Sequence, residues 1–131
     1  MPVGHSRTRA WSRYLLAGFF ILAGVNHFLQ PNFYLPLIPD YLPWPISLNL
    51  ISGVAEIVLG VGMLINHLQS AAMWGLIILL ILFIPSHIYF IRVGSCIEGG
   101  LCAPMWMAWL RLVLIHPLLL LWVWYSGRVQ S

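Results

Sequence analysis

Between Tyr14 and Ile91 only two residues carry a formal charge, Asp40 and Glu56. A stretch that long cannot form the surface of a water-soluble fold, because the exterior would be one continuous apolar patch. The whole chain is 7% charged and 61% hydrophobic, against about 25% and about 45–50% in soluble domains. That balance excludes an ordinary soluble enzyme, a disordered segment and a nucleic-acid-binding module. The six cationic residues are all arginine, and Arg7, Arg9 and Arg13 fall together near the start. Such a cluster beside an apolar run sets membrane orientation rather than reading phosphates.

A membrane helix needs about 20 residues to cross about 30 Å of hydrocarbon. The apolar runs predict an all-α, integral membrane four-helix bundle in one domain, with spans over 11–29, 47–65, 71–91 and 105–125. The first run is too long for a signal peptide and lacks a small-x-small cleavage site, so it is read as an uncleaved helix. The alternating pattern of lipid-facing strands is missing, which excludes a barrel. With the N-terminus inside, one face carries Arg7, Arg9, Arg13 and Arg128 and the other Arg92 alone. The positive-inside bias then places both termini in the cytoplasm.

Pro31, Pro36, Pro39, Pro43 and Pro45 interrupt the first outer connection, interleaved with Phe33, Tyr34, Tyr41 and Trp44. Regular helix cannot persist through them. Two readings fit: an aromatic anchor in the headgroup region, or a lid over a site beneath.

Asn26, His27, Glu56, His87, Arg111 and His116 lie inside the spans. Each ionisable group at that depth costs about 2.5–3.5 kcal/mol on insertion scales, so it is expected to face the interior and find a partner. At 1.5 Å per residue, His27 and His87 lie within about 6 Å of the outer boundary, Arg111 about 9 Å and Glu56 about 13 Å below it. One group on each helix at similar depth predicts a single polar cluster of Glu56, Arg111, His27 and His87. Gly53 and Gly60 share a helical face with Glu56 and mark the side where a neighbour approaches closely. Glu56 is therefore expected to point inward, and a buried Glu56–Arg111 pair that fixes register is one reading. Pro85 predicts a kink that tilts His87 inward. Asn26 and His116 are secondary candidates. His116 lies about 16 Å deep and five residues after Arg111, so the two are not expected to share a face.

Three intramembrane histidines raise haem ligation. Depth leaves His27 and His87 as the pair, and so small a bundle, already housing Glu56 and Arg111, has little room for a porphyrin. Haem is the weaker reading, and no metal site is expected. Cys96 and Cys102 sit in the second outer connection, Cys96-Ile97-Glu98-Gly99-Gly100-Leu101-Cys102. In an oxidising compartment a structural disulfide is the default. A dithiol that exchanges with a partner is the alternative, although the spacing is not Cys-x-x-Cys. No nucleotide loop, zinc motif or nucleophile–base spacing is present, so nothing marks the chain as a self-contained enzyme.

The segments Gly24-Val25-Asn26-His27-Phe28, Ile38-Pro39-Asp40-Tyr41-Leu42-Pro43 and Ser52-Gly53-Val54-Ala55-Glu56-Ile57 with Leu59-Gly60 resemble the DoxX-like membrane proteins. So do Pro85-Ser86-His87-Ile88-Tyr89 and Trp109-Leu110-Arg111-Leu112, in the same order. The resemblance implies a four-helix inner-membrane bundle. Members include the small subunit of a thiosulfate:quinone oxidoreductase, proteins of redox-maturation and oxidative-stress complexes, and assembly chaperones. The fourth helix departs from the Arg-Leu-Pro-Leu-Gln of many members, with Ile115 at the glutamine position and no proline before Pro117.

Two function classes follow. In one, the chain is an accessory subunit of a quinone-linked membrane redox system, with Glu56 accepting a proton and His27 or His87 donating to a carbonyl of a bound quinone. In the other it is a structural or assembly subunit, the polar cluster locking the bundle. A small transporter ranks last, since no internal repeat is visible. The expected partners are the lipid bilayer, a membrane protein or redox subunit, or a second copy of the chain.

Overall fold

Proline and glycine decide where the helices stop. In a computed structural model, which describes residues 3–128 and the side chains of 7–128, helix α1 covers Val3–Leu29 and ends just before Pro31. A short helix α2, Pro31–Tyr34, runs into a 3-10 turn at Leu35–Leu37. Pro45 opens α3, Pro45–Gly62, behind Trp44, whose φ of 54° turns the chain sharply into the helix. A 3-10 turn at Asn66–Leu68 leads into α4, Gln69–Leu82, and α5 follows at Ile84–Arg92. The last helix is built from α6, Met105–Leu110, a π turn at Arg111–Ile115, and α7, His116–Gly127.

Four of these helical stretches are long and apolar enough to cross a membrane: Arg7–Leu29, Pro45–Gly62, Asn66–Arg92 and Met105–Gly127. Around the bundle α3 packs on α1, α1 on α7, α7 on α4, and α4 back on α3. Leu16, Phe20, Met63, Met73, Leu76, Leu80 and Val123 form the main apolar core. A smaller cluster of Leu37, Phe90 and Ala108 sits at the opposite end, with Ile97 and Leu101 against it.

The α1–α3 crossing is backbone on backbone. A Cβ on Gly24 would lie 2.6 Å from the Gly53 carbonyl oxygen, and one on Gly53 2.9 Å from that of Gly24. Small residues let helices approach this closely where lipid supplies no hydrophobic drive between them. Asn49, Gly53, Glu56 and Gly60 are all buried and form one stripe of α3, so Glu56 faces inward as its glycine neighbours predict.

The third and fourth helices are irregular at proline. The expected break appears at Phe83, with Pro85 accommodated in the first turn of α5, where a missing N–H costs nothing. On the facing helix, the His116 N–H donates to the Arg111 carbonyl across the π turn just before Pro117.

The connection between α1 and α3 has two parts. Tyr34 covers His27, and Ser86 Oγ donates to the Leu37 carbonyl at 2.8 Å, so its first part lies over the bundle. Tyr41 and Trp44, 62% and 75% exposed, form an outward aromatic rim. Cys96 and Cys102 are joined by a disulfide. It closes a small hairpin in which Ile97 N–H donates to Leu101 O and Ala103 N–H to Ser95 O, each at 2.9 Å.

Candidate functional site

The tight glycine crossing brings the C-terminal end of α1 against the first turns of α3. Across it Asn49 Nδ2 donates to the His27 carbonyl at 3.0 Å, which fixes the orientation of the amide. Asn49 Oδ1 is then the acceptor for His27 Nδ1, 2.7 Å away, so the imidazole carries a proton on Nδ1. The other ring nitrogen, Nε2, faces Glu56 Oε2 at 3.4 Å. At that separation the two are in contact without a well-directed hydrogen bond, and Glu56 Oε2 has no hydrogen-bond partner although it is buried. His27, Asn49 and Glu56 are 7%, 3% and 5% exposed, which removes them from solvent.

Tyr34 closes the site from outside: its ring stacks on His27 with centroids 3.8 Å apart and planes 20° apart. Its hydroxyl oxygen accepts from Asn26 Nδ2 at 2.7 Å.

A second group lies between α5 and the π turn. The His87 and His116 rings meet edge to face, 4.7 Å between centroids. His116 Nε2–H donates to the Leu80 carbonyl at 2.7 Å, where the helix break loosens the backbone ladder. The π turn inserts an extra residue and carries His116 round toward the side of Arg111, correcting the expectation that the two diverge. The Arg111 guanidinium sits over the Phe90 ring, 5.5 Å from its centroid, within electrostatic range of His87.

The structure therefore distributes the expected cluster of Glu56, Arg111, His27 and His87 over two places. Among the described residues the ion pair within 4.0 Å is His27–Glu56, and no Glu56–Arg111 pair forms. Similar depth does not imply adjacency: α3 packs on α1 and α4, while Arg111 faces α5. Haem ligation by His27 and His87 does not fit this arrangement, since both His27 nitrogens face protein partners and His87 faces His116. Among the described residues no group of three or more His, Cys, Asp or Glu could hold a metal ion.

The profile of one protein family matches residues 16–126, which include every residue of both groups. The chain belongs to the family described as domain of unknown function DUF8561. No curated protein and no solved structure matches this DUF8561 member.

Several residues of the DUF8561 chain that hold the bundle were not singled out from sequence. Asn49 could have been, since it lies four residues before Gly53 on the stripe that carries Glu56. A further polar lock at the opposite end joins α1, α4 and α7. There Ser12 and Ser126 share a hydrogen bond of 2.6 Å, and Trp122 Nε1 donates to Ser12 Oγ at 2.8 Å. Arg13 Nη1 donates to Gln69 Oε1 at 2.5 Å, and Gln69 Nε2 to the Gly127 carbonyl at 3.3 Å. Arg13, expected only to orient the chain, thus also ties two helices together.

Proposed function

We propose that this chain is a DoxX-like accessory subunit of a quinone-linked redox system, inserted in the cell's inner membrane with both termini in the cytoplasm. The observation that carries this reading is Tyr34. Its planar six-membered ring lies on His27, and its oxygen accepts from Asn26. A quinone headgroup offers a ring of similar size and a carbonyl oxygen that can accept from the same amide. Beside that slot, His27 Nε2 and Glu56 Oε2 face each other at 3.4 Å, buried from solvent. The quinone, when bound, supplies two-electron redox chemistry. The chain's residues supply the rest: Asn26 Nδ2 donates to an oxygen, His27 provides the stacking face, and Glu56 Oε2 with His27 Nε2 takes up or releases a proton. Tyr34 keeps water out until it is displaced.

Titration of the purified protein in mild detergent with decylubiquinone, followed by tryptophan quenching, tests this. Saturable binding is expected. Tyr34→Ala should tighten it by vacating the slot, and Asn26→Leu should weaken it about tenfold through loss of the hydrogen bond. Absence of saturable quenching in both the parent and Tyr34→Ala would sink the reading. Topology is tested by an impermeant maleimide applied after reduction. Cys96 and Cys102 should label from outside the membrane, and labelling only from the cytoplasm would reverse the orientation.

The enclosure of His27, Asn49 and Glu56 favours a second reading, a structural or assembly subunit. In that case Glu56→Gln leaves quinone binding absent in both forms and changes the abundance of a co-purifying membrane protein.

A further inference from the structure

Arg111 is a cation without a counter-charge. Its side chain is half-buried, it sits within an apolar helix, and its contact in the chain is the face of Phe90. No hydrogen bond or ion pair from any described residue reaches its five N–H donors. The three acids of the chain are placed elsewhere: Glu56 faces His27, while Asp40 and Glu98 are exposed in the two outer connections. His87, half-buried beside it, makes no hydrogen bond to the described residues and adds a further N–H donor. An acceptor for these donors is therefore to be sought outside the polypeptide.

Helical side chains lean toward the N-terminus of their helix, which for Arg111 is the Met105 end. The guanidinium accordingly reaches Phe90, two residues before the end of α5. Trp106 and Trp109, 65% and 51% exposed on α6, mark the same end. Exposed tryptophan collects at headgroup depth, and a long arginine side chain carries its charge to that level. A planar fork of donors at this depth matches the oxygens of a phosphate group, which it can bind in a bidentate manner.

The geometry points to Arg111 and His87 as a binding site for an anionic phosphate group between α5 and the π turn, at the outer rim of the bundle. The phosphodiester of an anionic lipid headgroup and free phosphate share this chemistry. The site is separate from the His27–Glu56 pair and does not depend on the quinone reading.

Native mass spectrometry of the detergent-purified chain with phosphatidylglycerol, or with phosphate-free diacylglycerol, tests the assignment. One retained phosphatidylglycerol per chain is expected and no retained diacylglycerol. Retention should fall about tenfold or more in Arg111→Gln, the effect of removing a charge-assisted hydrogen bond. Arg111→Lys, which keeps the charge but not the fork, should lie between them, and it carries the test if Arg111→Gln fails to fold. Inorganic phosphate separates the sources. If millimolar phosphate displaces the lipid and itself raises the parent's melting temperature but not that of Arg111→Gln, the ligand is a soluble phosphate. Equal retention of the two lipids, or equal retention of phosphatidylglycerol by the parent and by both variants, overturns the site.

Discussion

The two polar groups of this bundle are built in opposite ways. His27, Asn49 and Glu56 lie across a crossing of two regular helices, drawn together because Gly24 and Gly53 leave no side chain between the backbones. His87, Arg111 and His116 lie where both helices are irregular, at the Phe83 break and the π turn. In the first, close packing aligns donors with acceptors within the chain, and one oxygen, Glu56 Oε2, is left unbonded. In the second, irregular backbone uses one imidazole to satisfy a loosened carbonyl and leaves an excess of donors. Glycine-tight contact thus encloses a site partnered largely from within the chain, and helix distortion opens one with donors left over.

Substitutions can break that contrast at graded strength. Gly53→Ala should have the largest effect. Its Cβ meets the Gly24 carbonyl oxygen and His27 Cβ, both at 2.9 Å, so the crossing must open at a cost of about 1–3 kcal/mol. Reversible unfolding in mild detergent reads this loss, and an unchanged midpoint would show that the crossing is not tight. Asn49→Ala comes next, with an expected loss of about 1–2 kcal/mol, because it strands His27 Nδ1–H and leaves the His27 carbonyl with one partner fewer in a buried site. If the two groups differed little in construction, His116→Ala would cost as much. It removes one interhelical hydrogen bond, to Leu80, so about 0.6–1 kcal/mol is expected in the same unfolding measurement. Arg111→Met should have the smallest effect, about 0.5 kcal/mol in lipid-free detergent, since within the chain it removes only the cation–π interaction with Phe90. A loss near that of Asn49→Ala would mean that Arg111 is compensated within the protein, and would erase the distinction.

Much of the framework was legible in the sequence. Charge scarcity and four apolar runs lead to four helices long enough to span a membrane, and Gly53 with Gly60 places Glu56 on the inward face. Cys96 and Cys102 form the expected disulfide. The partners of Glu56 and Arg111 were not legible in the same way. Depth along a helix follows from counting residues, but which neighbour a side chain meets depends on rotation about the helix axis and on helix order around the bundle. His116 shows the limit most sharply. Counted on a regular helix it turns away from Arg111, and one extra residue in a π turn brings it round. Tyr34 shows it too: both an anchor and a lid were open for the aromatic connection, and only the fold shows Tyr34 docked on His27 and Asn26 while Tyr41 and Trp44 face outward.

The nine formal charges in 131 residues, and their confinement largely to the ends and connections, determined by themselves that this chain is built from apolar helices. Hydrophobicity and helix length are properties of each segment alone. Only the tertiary structure decided that Glu56 faces His27 while Arg111 stands without an acid, because pairing depends on which helices touch and how each is turned.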